Sequence, residues 1–439
     1  MSEPDLSAGA AWLAASTPRR RKSLGQWATP WWVVDRLAGM AMRGLPADPA
    51  VLDPACGDGR WLLAVARHRP GARLYGLDVD PEAIAAATQT LRRHGVQATL
   101  AVADAVAPDT LWPTVDCVVG NPPFVRPQNL PAARRRLFWS HYDTLTDKAD
   151  LYAAFVERAV NAAPTTLVLP DSWLHMASFA ALRRHLAAAG VRGVYALPAR
   201  TFPDASVRAV ALLTGGGTTP MCGALDRQGA SVLGPLHMGP IAWSLDGPLP
   251  QLPGRCLSTF ATVHMGVVCG DYPRYVHEGR QYTEDRPTCR GRHVRRWAIE
   301  PTDEYLRYDP ADMLARKPYV APKSAALFDV PEKVVVAGTS GSEVRAAMDT
   351  ERRFVLDSCY VLRPRSADID PWALLGFLLC TPVQRWYAAR HPAPRVKGVE
   401  LSRIPIPGDV VQWGPVAAAA RSRDDEALDR VTAALYSAG

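Results

Sequence analysis

Along the first half of the chain, short continuous apolar runs alternate with stretches of helical periodicity. Val51-Leu52 leads into Asp53, and Trp61-Leu62-Leu63-Ala64-Val65-Ala66 follows with helical spacing. Arg73-Leu74-Tyr75-Gly76-Leu77 ends at Asp78. Asp80-Pro81-Glu82 then opens a helix over Ala83 to His94, since proline is pre-set for a first helical turn and acids suit the positive end of the helix dipole. Ala98 to Val102 ends at Asp104, and Val115 to Gly120 runs into Asn121-Pro122-Pro123-Phe124. Such alternation predicts a parallel, doubly wound α/β sheet. Each strand ends in an acid or an amide, and ligands of such sheets lie across the carboxyl ends of the strands. Asp53, Asp78, Asp104 and Asn121 are therefore expected to converge.

The pattern changes near residue 215. Gly215-Gly216-Gly217 and the Pro/Gly-rich stretch to about Gly254 read as a linker or the edge of a first domain. Beyond Thr259, β-like runs such as Lys333-Val334-Val335-Val336 and Phe354-Val355-Leu356 precede helices over Pro371 to Arg390, which predicts an α+β domain. The last 30 residues, with Leu428, Val431 and Leu435 helically spaced, read as a surface helix.

The candidate chemistry gathers at the strand ends. In Asn121-Pro122-Pro123-Phe124, the amide offers an acceptor and a donor, proline a carbonyl without a competing N–H, and Phe124 a stacking face. That set suits a planar, amino-bearing group, although an Asn-Pro turn would look the same. Asp53-Pro54-Ala55-Cys56-Gly57-Asp58-Gly59 lets backbone approach a ligand, and it matches neither the dinucleotide fingerprint nor a P-loop. Asp78 lies about 25 residues after Asp53, where an acid meets ribose hydroxyls; both aspartates also suit helix caps. Thr29 before Pro30 reads as a helix N-cap compatible with a cofactor contact.

In this order the motifs resemble those of the class I S-adenosylmethionine-dependent methyltransferases, and more closely the gamma-class, TaqI-type adenine-N6 DNA methyltransferases. Gly25-Gln26-Trp27-Ala28-Thr29-Pro30 is similar to that family's segment before the first strand, Asp53 to Gly59 to its methionine-binding loop, Asp78 and Asp104 to its ribose-side and adenine-side acids, and Asn121 to Phe124 to its catalytic motif. Leu151 to Ala159, Leu167 to Leu174 and Thr201-Phe202-Pro203 continue the likeness, which is dense over roughly half the chain. The resemblance implies a Rossmann-like class I methyltransferase sheet with a second, α+β target-recognition domain. It implies S-adenosyl-L-methionine held by Thr29, Asp53, Ala55, Gly57, Asp78, Asp104 and Pro123, catalysis by Asn121, Pro122 and Phe124, and Phe202 as a further aromatic contact on a flipped-out adenine. His264 to Asp271, Asp357 to Tyr360 and Ile404 to Pro407 look like landmarks of the family's recognition domain. Where the family often has a lysine, this chain has Ala205. The expected organisation is a flexible basic tail at 1–23, a catalytic domain at 24–245, a DNA target-recognition domain at 246–410 and a helical segment at 411–439.

Composition narrows the partners. A chain of 439 residues, 48% hydrophobic, holds two sizeable cores. No apolar run reaches the roughly 20 residues that span a bilayer, and no signal-peptide pattern opens the chain, so no membrane partner and a cytoplasmic location are expected. Eight dispersed cysteines without C-x-x-C indicate neither zinc nor a disulfide framework. The net charge of +7 favours a polyanion. Basic residues cluster at Arg19 to Lys22, at Arg134 to Arg136, at Arg290 to Arg296 and at Arg390 to Lys397, beside Trp139, Tyr142, Trp297, Trp386 and Tyr387. Arg134 and Arg136 are candidate backbone contacts near the flipped base, and Arg292 and Arg295 candidate readers of double-stranded DNA. With no domain to spare for cleavage, the chain is expected to act as a monomeric modification enzyme, solitary or beside a separately encoded restriction endonuclease. Two rivals remain: a methyltransferase of RNA bases or of a glutamine amide using the same motif, and a nucleic-acid-binding protein with a degenerate methyltransferase fold.

Overall fold

The computed structural model describes residues 3–17, 20–21, 24–146, 148–199, 201–202, 208–217, 219–239, 242–245, 250–316, 319–339, 343–391 and 395–438. The chain divides into two compact units, Met1–Pro248 and Leu249–Gly439. None of the helices among the described residues is long and apolar enough to cross a membrane.

In the first unit the labelled elements are α1 (Ser7–Ala15), α2 (Trp31–Ala41), β1 (Ala50–Asp53), α3 (Arg60–His68), β2 (Arg73–Asp78), α4 (Pro81–Arg93), β3 (Thr99–Val102), β4 (Cys117–Gly120), α5 (Ala132–His141), α6 (Tyr152–Ala162), β5 (Thr165–Pro170), α7 (Ala180–Ala189), β6 (Val191–Ala196), β7 (Ala209–Thr214), β8 (Met221–Leu225) and β9 (Ala230–Pro235). The strands form one nine-stranded sheet in the order β3-β2-β1-β4-β5-β7-β6-β8-β9. From β3 to β5 all pairs are parallel, and β7 enters antiparallel between β5 and β6. This is the Rossmann-like class I methyltransferase sheet. β1, β4, β5 and β7 are buried at every position, as strands covered on both faces must be, which is why they read as continuous apolar runs. The chain order reverses between β1 and β4, and a crevice opens at such a switch point. α4 starts as its sequence dictates: the Asp80 side chain accepts from the Glu82 N–H, with Pro81 in the first turn.

Two expectations change here. The segment expected to be a flexible tail carries α1, which packs along α4. Its Ala/Gly-rich sequence has no amphipathic stripe to announce it, and its anchors are polar residues at its ends. Of the two readings of the stretch after Gly215, a linker or the edge of the first domain, the linker is overturned: the stretch carries β8 and β9, which extend the sheet, and Gly223 lies within β8 itself.

The second unit holds β10 (Ala261–Met265), β11 (Val276–Glu278), β12 (Asp285–Cys289), β13 (Glu304–Arg307), β14 (Lys333–Ala337), β15 (Ala346–Asp349), β16 (Phe354–Val355) and β17 (Cys359–Pro364). One sheet runs β10-β17-β14-β15 and the other β11-β13-β12-β16, giving the α+β organisation. The helical run at 371–390 is two helices, α8 (Pro371–Leu379) and α9 (Thr381–Arg390), broken at extended Cys380 before Pro382. The last residues form α10 (Gly414–Ser422) and α11 (Asp425–Ala438). They are no surface appendage, because Trp413, Val416, Ala420 and Leu428 are buried in one core with Leu374, Leu378 and Val383. At the foot of β14, fully buried Lys333 donates to the Phe328 carbonyl at 2.8 Å and pairs with Asp349, whose other oxygen takes Arg353 at 2.9 Å.

Candidate active site

The register that pairs Leu52 with Val118 brings Asp53 and Asn121 out side by side at the ends of the two central strands. The Asn121 amide is locked from one side. Its Nδ2 donates to the Trp27 carbonyl at 3.0 Å and to Thr29 Oγ1 at 3.1 Å, both in the segment before α2. Its Oδ1 is buried and has no hydrogen-bond partner, so an acceptor is aimed and unsatisfied. Arg60 holds the other end of that segment, donating to the Thr29 carbonyl at 2.5 Å while pairing with Asp58. Gly25 makes the approach possible: at φ +66°, a Cβ on it would stand 2.6 Å from the Phe124 backbone nitrogen. Phe124 is half-buried, with its ring edge-on to Tyr152 at 6.0 Å.

Beside the amide lies a recess lined by Thr29, Ala55, Gly57, Asp78, Asp104, Asn121, Pro123 and Arg134, with Trp12 and Leu13 of α1 on its wall. Asp53 is 0% exposed and does not itself line the recess; its Oδ1 accepts the N–H of Ala55, which does, at 3.1 Å, and its buried Oδ2 has no partner. Burial pushes this carboxyl well above the usual range, with Asp78 and Asp58 adding repulsion. Asp78 accepts the Gly57 N–H and the Asp80 N–H, each at 2.9 Å, and burial raises its carboxyl too. A recess with the Asp78 and Asp104 carboxyls on its wall fits a cationic ligand carrying an ammonium and hydroxyls, as S-adenosyl-L-methionine does.

Three expected contacts stand elsewhere. Arg134, expected on DNA, lies on the recess wall, ion-paired with Asp104 and with its guanidinium 5.3 Å from the Phe138 ring centre; attraction to the acid turns it inward. Phe202 is 5% exposed, in the same buried cluster as Trp31, Leu197 and Ala209, so its ring serves the core. Pro122 is buried and does not line the recess, whereas Arg136 is exposed on α5. Ala205 lies outside the described residues. In the second unit, Arg292 and Arg295 line a separate recess with Arg290, Arg345 and Tyr272. Glu304 pairs with both Arg290 and Arg292, and Glu300 with Arg295 at 2.8 Å. Sequence reasoning missed Trp12, Arg60 and Tyr152; Arg60 alone carried a signal, directly following the glycine loop.

Comparison with known proteins follows this geometry. Residues 113–191 match the Eco57I restriction-modification methylase family, 51–138 a methyltransferase domain family and 286–406 the TaqI-like C-terminal specificity domain family. In chain order these matches resemble the parts of a restriction-modification DNA methyltransferase of the class I superfamily. A relative, the type II methyltransferase M.TthHB8I of Thermus thermophilus, is 32% identical over 206 residues, 44% of this chain and 45% of that protein. The release factor glutamine methyltransferase of Geobacter sulfurreducens is 33% identical over 140 residues, 30% of this chain and 46% of that protein. The chain thus spans less than half the length of these curated relatives. The solved structure of the type IIL restriction-modification enzyme MmeI in complex with DNA has the same fold, with a TM-score of 0.70 at 13% identity over 99% of this chain and 79% of that one. The match to the specificity-domain family includes the four arginines of the second unit's recess, Arg290, Arg292, Arg295 and Arg345.

Proposed function

We propose that the chain transfers a methyl group from S-adenosyl-L-methionine to N6 of an adenine flipped out of double-stranded DNA, as the modification enzyme of a restriction-modification system or as a solitary enzyme. One observation carries this reading: Asn121 keeps a buried, unpartnered Oδ1 beside the recess while Trp27 and Thr29 hold its NH2. The exocyclic amine of adenine is a poor nucleophile because its lone pair is delocalised into the ring. An acceptor fixed on one of its N–H bonds favours the transition state, in which positive charge passes from the sulfonium to the amine as the S–CH3 bond breaks and the N–CH3 bond forms, and the methylated amine then sheds a proton to solvent. The acceptor is pre-oriented, so none of its reorganisation falls on the reaction step. Phe124 offers its face to the flipped base, and Tyr152 holds that ring edge-on. When bound, S-adenosyl-L-methionine supplies an electrophilic methyl on its sulfonium. Asp53 would take its ammonium, Asp78 its ribose hydroxyls and Asp104 its adenine side. Arg292 and Arg295, oriented by Glu304 and Glu300, are the proposed readers of the target sequence.

The second unit favours DNA over a release factor, since its residues 286–406 match a specificity domain. The test is expression in a methylation-free host with modified bases mapped by single-molecule sequencing. N6-methyladenine at one recurring sequence is expected, abolished in Asn121→Ala, which should lose about a hundredfold to a thousandfold in turnover. An Asn121→Ala protein that methylates at the unaltered rate refutes the mechanism, and DNA without N6-methyladenine refutes the substrate.

A further inference from the structure

α1 lies upstream of every motif that resembles the family, yet it touches the cofactor recess. Trp12 and Leu13 line the recess, and the Trp12 ring lies against Gly57. The Trp12 indole N–H is buried there without an acceptor. Gly9, three residues before Trp12 and so on the same face of α1, is buried against the same glycine loop, where a Cβ would overlap the Asp58 carboxylate. The helix is strapped at both ends to the two ends of α4. Arg93 pairs with Asp5 at 3.4 Å and donates to the Ser7 hydroxyl, and His94 Nε2 meets the Asp5 carbonyl at 3.1 Å. On the other side of α1, Arg20 bridges Asp80 at 3.1 Å and Glu82 at 2.6 Å, while Gln26 donates to Asp80 at 2.9 Å.

The two ends differ in strength. Arg93 and Asp5 are exposed, and an exposed ion pair contributes little, whereas the Asp80 side chain that takes Arg20 is 1% exposed, so the Asp5 end of α1 is the one held loosely. A buried indole N–H without an acceptor is costly unless something supplies one. A cofactor in the recess would bring carboxylate and hydroxyl oxygens to this wall. We propose that α1 is the lid of the cofactor site, and that Trp12 is a cofactor-binding residue whose indole N–H donates to an oxygen of the bound S-adenosyl-L-methionine. The inference rests on the reading of the recess as that cofactor's site. Release of the spent cofactor then requires the lid to swing off, and its straps set the exchange rate.

The test uses the full chain and S-adenosylhomocysteine. Trp12→Phe keeps the aromatic face and deletes only the N–H; calorimetry should show binding weakened about threefold to tenfold, the equivalent of one hydrogen bond. Arg93→Ala loosens the lid from its exposed end, and stopped-flow mixing should show faster association and faster dissociation together. Unchanged affinity in Trp12→Phe overturns the assignment of Trp12, and unchanged exchange rates in Arg93→Ala overturn the lid. Failure of the unaltered protein to bind would instead strike the reading of the recess itself.

Discussion

Replacing Asp53 by asparagine should move stability and ligand affinity in opposite directions. The carboxylate is 0% exposed, and one of its oxygens has no partner. Asparagine keeps the acceptor for the Ala55 N–H and the shape, and removes the charge. A charge-assisted hydrogen bond contributes about 1.5–3 kcal/mol, so affinity for S-adenosylhomocysteine should fall about tenfold to a hundredfold. Without ligand the sign reverses. Burial raises the Asp53 carboxyl in the folded state, so its stability contribution is present below the unfolded carboxylate range and is lost as pH rises through the folded value. Each unit of that rise costs the unliganded protein about 1.4 kcal/mol at neutral pH. The asparagine protein, relieved of that cost, should melt no lower than the parent at neutral pH, and its advantage should shrink as pH falls toward 4. Thermal unfolding with and without ligand from pH 5 to 8, beside calorimetry, reads both effects. Affinity within threefold of the parent, or an unliganded variant less stable by more than about 1 kcal/mol, would refute the role of the orphaned oxygen.

Thr29→Val removes one of the two acceptors that hold the Asn121 amide while keeping the buried side chain's shape. Single-turnover methylation should slow about threefold to tenfold, and adding Thr29→Val to Asn121→Ala should cost nothing further, as expected of residues acting through one amide. In the second unit, Lys333→Met leaves the Asp349 carboxylate buried with only Arg353 as a charged partner. Urea unfolding should register a loss of about 3–5 kcal/mol, partly recovered when Asp349 is replaced by leucine in the same chain.

The placement of the strand-end residues was legible because a parallel sheet brings the positions where its apolar runs stop to one edge. Asp53, Asp78, Asp104 and Asn121 needed only that rule and their order. What stayed hidden depends on contacts distant in sequence. Arg134 belongs to an exposed-looking basic run, and only the folded chain shows Asp104 drawing it inward. Phe202 belongs to a motif, yet in the folded chain its ring is buried in the core with Trp31, Leu197 and Ala209, neighbours distant in sequence or hidden from the local pattern. α1 has too little apolar patterning to be read as a packed helix; it packs through Gly9 and Trp12 on the glycine loop and is tied to α4 by polar residues outside its own span, and periodicity reports neither. In the second unit, the spacing of Leu428, Val431 and Leu435 predicted a helix correctly but not which partner its apolar side would meet.

Spending both N–H groups of Asn121 on Trp27 and Thr29 has a consequence for retargeting this chain. If the proposed function holds, the amide would meet its substrate as a lone acceptor, with no donor left to interrogate a ring. Such a group would grip any planar amine brought to it, whatever bases flank that amine. Discrimination among DNA sites must then be carried by other residues, and a graft of a different specificity unit should change the address without retuning the chemistry.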